Sequence, residues 1–254
     1  MLYKEEAILI RSMDYGEGHK IITLYTLRFG KVSVMARGAK KLKSRHTGAV
    51  QLFTHAEYTY YKSGKMGTLN HADIIHSNEA LRTDLSKTAY ASYICEMVYR
   101  LVSDDDQGSS FLFHQLAASF QQMAEEKDLQ IIAHIFELKM LKYAGYEPVL
   151  TRCAVCGKES GLSFIAVHAG GAACAHCAAG SDASSFIPID EKTRKLLQLL
   201  QTVDLRRLGN INVSPQTKQK LAVIMRGFME DYADVQYWKS RKFLDQMEKY
   251  FLQN

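Results

Sequence analysis

Proline is scarce, with three in 254 residues, which excludes long rigid linkers. No apolar run approaches the roughly 20 residues of a membrane span, which predicts a soluble cytoplasmic protein with no membrane partner. The opening Met1-Leu2-Tyr3-Lys4-Glu5-Glu6 lacks the charged, apolar and cleavage regions of a signal peptide, so an oxidising compartment is not expected. There is no Gly-x-x-x-x-Gly-Lys-Ser/Thr loop; Gly16-Glu17-Gly18-His19-Lys20 is too short for one. Nine histidines are scattered without a His-Glu-x-x-His pair. The zinc-deaminase arrangement is missing too, because Thr151 and Arg152 stand before the first cysteine pair. These absences argue against an enzyme. Acid is the last thing missing. Between Glu17 and Glu57 no Asp or Glu occurs, while Lys20, Arg28, Lys31, Arg37, Lys40, Lys41, Lys43 and Arg45 do. Residues 1–80 hold twelve Lys and Arg against seven Asp and Glu, and the rest of the chain holds twenty of each. The whole positive excess therefore sits in the N-terminal third, where a one-signed field attracts a polyanion.

Cysteine is present in an informative pattern. Cys153 and Cys156 form one Cys-x-x-Cys pair, and Cys174 and Cys177 form a second, with seventeen residues between the pairs. Each pair can place two thiolates on one side of a tight turn, and two such knuckles supply the tetrahedral all-thiolate shell that suits zinc. Gly157 suits the first knuckle turn. Leu162–Val167 followed by Gly170-Gly171 supplies a strand and a turn to bring the second pair back. Disulfides and a redox motif are the rival readings. His168 and His176 lie close enough in sequence to replace a ligand. A structural Zn2+, one per chain, bound by Cys153, Cys156, Cys174 and Cys177, is the expectation. The fifth cysteine, Cys95, lies in an apolar helical stretch and reads as a small buried hydrophobe.

Residues 1–76 read as five short strands: Glu6–Met13, Lys20–Phe29, Lys31–Ala36, Gln51–Tyr61 and Thr68–His76. Five strands in about 75 residues fit a small closed barrel, either an OB fold or an SH3-like barrel, and the long connection after the third strand favours the OB fold. The period then becomes helical over Asn78–Val102, Ser109–Glu126, Asp128–Tyr143, Asp190–Leu200, Ser214–Asp231 and Tyr237–Leu252. The expected fold class is α+β. A five-stranded OB-fold barrel (residues 1–77) precedes an α-helical domain (78–254) that carries an inserted four-cysteine zinc ribbon at about 150–187.

Arg37-Gly38-Ala39-Lys40-Lys41-Leu42-Lys43-Ser44-Arg45 is the strongest binding candidate. Its glycine allows close backbone approach to phosphate, and five basic side chains can neutralise a nucleic-acid backbone. A solvated loop is the plain alternative. Tyr58 and Tyr60 share one face of a strand, where they either stack bases or fill the core. The acidic run Asp104–Asp106 reads as a solvated helix end.

The order of parts resembles the bacterial RecO family of DNA-repair proteins over the whole chain. The resemblance rests on Ala7-Ile8-Leu9-Ile10-Arg11, Tyr15-Gly16-Glu17, Ile21-Ile22-Thr23-Leu24-Tyr25-Thr26, Phe29-Gly30-Lys31 and Ala36-Arg37-Gly38-Ala39-Lys40-Lys41. It rests also on Gly145-Tyr146-Glu147-Pro148 leading into Cys153-Ala154-Val155-Cys156-Gly157. It implies a recombination mediator, not an enzyme. Such a protein binds single- and double-stranded DNA, anneals complementary strands and works with RecR. It helps RecA, an indirect partner, onto DNA coated by single-strand DNA-binding protein, in the cytoplasm and at the nucleoid during repair. It also implies that the barrel binds DNA, with Arg11, Lys20, Arg37, Lys40, Lys41, Lys43 and Arg45 as the positions concerned. Some members lack the cysteines, which points the metal here to folding. An RNA-binding protein of OB and zinc-ribbon type and a zinc hydrolase acting on nucleic acid are the competing functions.

Overall fold

Along the first 76 residues side chains alternate between core and exterior, the two-residue period of a strand, until the strands close on one another. A computed structural model of the chain, describing residues 1–180 and 185–253, gives β1 (Leu2–Tyr15), β2 (His19–Thr26), β3 (Gly30–Ala36), β4 (His55–Lys62) and β5 (Met66–His76). They form a closed barrel in the order β1-β2-β3-β5-β4. The second half of β1 pairs with β2 and its first half with β4, both antiparallel. A parallel pair, β3 with β5, closes the cylinder from Ser33↔Met66 to Met35↔Thr68. This is the OB fold, and the SH3-like alternative falls. Ile22, Leu24, Val32, Val34, Tyr58, Tyr60 and Leu69 fill the interior. Tyr58 and Tyr60 are thus core residues. The Tyr58 hydroxyl donates to the Ala49 carbonyl at 2.8 Å, and burial pushes the Tyr60 phenol up to about 12.

Two strand starts differ from expectation by four residues each. β1 begins at Leu2 because residues 2–5 pair with the far end of β4, Leu2 with Tyr61 through Glu5 with Tyr58. β4 begins at His55, not Gln51, because the chain turns through Phe53, whose φ is +71°. The Phe53 ring then packs edge-on against Phe120, 5.5 Å away.

The expected helix Asn78–Val102 is two helices, α1 (Ala80–Thr83) and α2 (Leu85–Leu101). Asp84 breaks them apart in an extended conformation, and its carboxylate caps α2 by accepting from the Lys87 N–H at 2.8 Å. Ser109 caps α3 (Ser110–Ala124) in the same way. α4 (Leu129–Tyr143) stops at Gly145, φ +86°, where the Tyr146 N–H reaches back to the Leu141 carbonyl at 2.8 Å.

The chain divides into two compact units. One holds Met1–Leu129 with the chain end from Phe243, and the other holds Gln130–Lys242. In the first, the helices cover one side of the barrel. Phe113 lies 6.4 Å from Tyr25 and 5.6 Å from His55, ring to ring. The β2–β3 turn docks so closely on the α2–α3 loop that a Cβ on Gly30 would meet the Asp106 carbonyl at 2.6 Å.

The second unit contains a small sheet, β6 (Leu162–Ala166), β7 (Gly171–Cys174) and β8 (Phe186–Pro188), in the order β7-β6-β8. The short α5 (Ala175–Ala179) follows β7, and α6 (Glu191–Thr202) and α7 (Pro215–Ala233) pack beside the sheet, capped by Asp190 and Ser214. Residues 181–184 of the expected metal segment lie outside the described residues. After a 3-10 turn at Val235–Tyr237, α8 (Lys239–Gln253) ends the described chain. Among the described residues no helix is long and apolar enough to cross a membrane.

Candidate metal centre and nucleic-acid interface

The Cys153–Cys156 knuckle is built by backbone hydrogen bonds. The Gly157 N–H donates to the Cys153 carbonyl at 2.8 Å, and Gly157 takes a φ of +79° that a side chain would resist. β6 and β7 then return the chain so that Cys174 ends β7 and Cys177 lies on α5. All four sulphurs lie within 4.8 Å of one another. Cys153 Sγ stands 3.9 Å from Cys177 Sγ, and Cys156 Sγ 3.8 Å from Cys174 Sγ. A disulfide needs about 2.05 Å, so neither pair is bridged. An ion bonded to four sulphurs at about 2.3 Å spaces them about 3.8 Å apart along each tetrahedron edge. The donor set therefore fits a metal ion in geometry. It fits in charge as well. Burial works against ionising Cys153, yet the N–H groups of Cys156, Cys174 and Val155 bring its thiol down to about 6. Cys177, beside Cys156 and the other sulphurs, is pushed up to about 12. Four thiolates this close need a cation between them. Among the described residues His168 and His176 are not part of the cluster.

The knuckles are strapped to their helical frame through backbone carbonyls. Arg194 and Gln198 of α6 donate to the Leu150 carbonyl at 2.9 and 2.7 Å, and Tyr232 of α7 donates to the Val167 carbonyl at 3.0 Å. Gly171 sits where the Ala172 N–H meets the Val149 carbonyl, and a Cβ at Gly171 would lie 2.1 Å from that oxygen. Gly171→Ala should therefore displace residue 149 or β7 and cost about 3 kcal/mol or more, as backbone overpacking does. The check is a thermal melt beside metal content. A variant that melts like the parent and holds its metal would show that the strap yields freely.

The basic loop folds over the β1–β2 turn. The Lys40 N–H donates to the Gly18 carbonyl at 3.3 Å, and the Gly38 N–H donates to His19 Nδ1 at 3.0 Å. Asp14, at the end of β1, receives Lys40 Nζ at 2.8 Å and Lys20 Nζ at 2.9 Å. Lys40 first and Lys20 second hold its carboxyl down at about 2. Arg37, Lys41, Lys43 and Arg45 are exposed. Arg45 Nε donates to Nε2 of the buried His46 at 3.3 Å. Burial, with Arg45 alongside, holds that imidazole below its usual value, so its ring nitrogen is free to accept. Six of the seven expected bases thus belong to this turn and loop. Arg11 is placed elsewhere. Its guanidinium lies 4.5 Å over the Tyr99 ring of α2 and donates to the Tyr99 hydroxyl. Asp14 went unnoticed in sequence, since its partners are assembled only when the loop folds back.

Comparison with known proteins agrees with this architecture. Residues 1–78 match the family model for the N terminal of recombination protein O, and residues 82–242 match that for its C terminal. The chain is 38% identical over 250 residues to the DNA repair protein RecO of Bacillus mycoides (strain KBAB4), covering 98% of this chain and 99% of the relative. It is 37% identical, at the same coverage, to those of Bacillus cytotoxicus and Bacillus cereus (strain AH187). With both halves matched in order and relatives aligned end to end, the chain belongs to the RecO family of DNA repair proteins.

Proposed function

We propose that this chain is a recombination mediator. It binds single- and double-stranded DNA through its barrel (residues 1–77), anneals complementary strands, and acts with RecR to place RecA on DNA coated by single-strand DNA-binding protein. The helical part, residues 78–254, carries a structural zinc ion on Cys153, Cys156, Cys174 and Cys177. The observation that carries the reading is the acid-free loop from Arg37 to Arg45 laid across one end of the barrel with its cations exposed. Phosphate contacts of this kind bind any sequence, which annealing of arbitrary complements requires. No residue is assigned a catalytic role. The test is annealing of complementary oligonucleotides coated by single-strand DNA-binding protein. The expected result is faster annealing at equal rates with and without ATP. Annealing that needs ATP, or none above background, would overturn the proposal.

Asp14 offers a finer check. It is an acid inside this basic surface, and it draws Lys20 and Lys40 inward. Its depressed carboxyl adds stability above about pH 4, lost as the pH falls toward 2. Asp14→Asn at pH 7 should tighten binding to single-stranded DNA and steepen its salt dependence by up to two contacts, about 1.4 in slope. Weaker binding from a normally folded variant would mean that Asp14 presents the lysines correctly and does not sequester them.

A further inference from the structure

On the outside of the barrel, a row that is apolar except at Thr68 runs in register across all five strands. Met13 of β1 pairs with Ile21 of β2, Ile21 with Met35 of β3, Met35 with Thr68 of β5, and Thr68 with Tyr61 of β4. Their strand neighbours Ile22, Val34, Leu69 and Tyr60 fill the core, so the two-residue period turns the row outward. One side of the barrel's outer surface is covered, as at Tyr25 and His55 under Phe113. This row is open. Met13 is 42% exposed and Tyr61 56%, and Met66, two residues from Thr68 on the same side, is 41% exposed. A contiguous apolar strip on a soluble surface marks a place where something binds.

The charges around the strip say what. Lys20 and Arg37 stand at the end where β2 pairs with β3, and Lys62 and Lys65 flank the β4–β5 turn. Asp14, the acid beside Met13, is already neutralised by two lysines. An exposed strip of mainly apolar side chains between cations suits a chain with anionic links and apolar faces, which describes a nucleic acid whose bases are unpaired. In a duplex those faces are already stacked on one another.

We propose that Met13, Ile21, Met35, Met66 and Tyr61 form a platform that takes the faces of unpaired nucleobases, with Tyr61 as its main stacking residue. The platform distinguishes single strands from duplex, and the basic loop holds either. The inference rests on the DNA-binding reading above. As the strands anneal, their bases leave the platform for one another, so the product is held only by its phosphates.

The test compares three probes of equal length and charge per strand by fluorescence anisotropy: a single strand, the same strand with abasic positions, and its duplex. Tyr61→Ala should weaken binding to the intact single strand about ten-fold, the ratio equivalent to 1.4 kcal/mol and within the range of one lost stack. Duplex affinity should stay within two-fold. The parent protein should bind the abasic strand about as weakly as the variant binds the intact one. Tyr61→Phe should restore binding. The triple variant Met13→Ser, Tyr61→Ala, Met66→Ser changes only exposed positions, and should lose at least as much. The platform is disproved if both the single and triple variants bind the intact strand like the parent, or lose single strand and duplex equally. It is also disproved if the parent binds abasic and intact strands alike. A parent protein that binds none of the three probes would instead bring down the DNA-binding reading itself.

Discussion

Stripping the metal should melt residues 150–187 while the barrel remains folded. Apart from its straps to α6 and α7, the module has a small core of its own. Its fully buried strand residues are Ile165, Ala166, Ala172 and Ala173, three of them alanine, and an alanine side chain buries too little apolar surface to close a sheet. Structural zinc in a domain of this kind supplies roughly 10–16 kcal/mol of apparent binding energy, which is folding energy where no preformed site survives. Freshly purified, reduced protein should contain one equivalent of zinc. Chelation, or Cys174→Ser, should expose to hydrogen exchange the amides of Ala172 and Gly157, which now donate to Val149 and Cys153. Amides in β1 to β5 should keep their protection. Metal content far below one equivalent, or a module that stays protected after chelation, would refute the assignment.

Replacing Lys40, Lys41, Lys43 and Arg45 together by alanine should flatten the salt dependence of single-strand binding by at most about 2.8 in log K against log salt, about 0.7 for each lost phosphate contact. The loss should be the same for every sequence tested, because phosphates carry no sequence information. The four are unequal. Lys40 is tied to Asp14, whereas Lys41 and Lys43 are in no ion pair among the described residues and Arg45 donates to the His46 ring. A triple variant sparing Lys40 should therefore keep most of the effect, up to about 2.1 in slope. Because all four are exposed, the quadruple variant should melt close to the parent, losing only the small contribution of the surface pair Lys40–Asp14. If it does so and still binds with unchanged affinity and slope, the loop only solubilises the barrel.

Much of this was written locally in the chain. The paired Cys-x-x-Cys spacing, the knuckle glycine and the β6–β7 hairpin lie within 25 residues of one another, so short-range rules found them. The caps at Ser109, Asp190 and Ser214 also follow from side chains next to the helices they start. What escaped was decided at a distance. The first half of β1 is a strand only because β4 lies alongside it. Alternation put Tyr58 and Tyr60 on one face, but only barrel closure made that face the interior. The apolar period runs unbroken through Asp84, and a single extended residue there splits the helix. Arg11 belongs by sequence to a basic third of the chain, and its position depends on Tyr99, far along the chain.

The closeness of the β2–β3 turn to the α2–α3 loop bears on how this protein can be cut. Lys31 reaches the Tyr99 carbonyl and Asp104, both at 2.8 Å, with its side chain 9% exposed. Tyr25 and Phe53 rest on Phe113 and Phe120. Ending the polypeptide after β5 would remove both acceptors of this buried ammonium and turn two large rings into water, each ring worth about 1.5–3 kcal/mol. A recombinant fragment meant to isolate DNA binding should therefore run through α3, to about Leu129, where the first compact unit pauses. The shorter piece should come out of expression as aggregate.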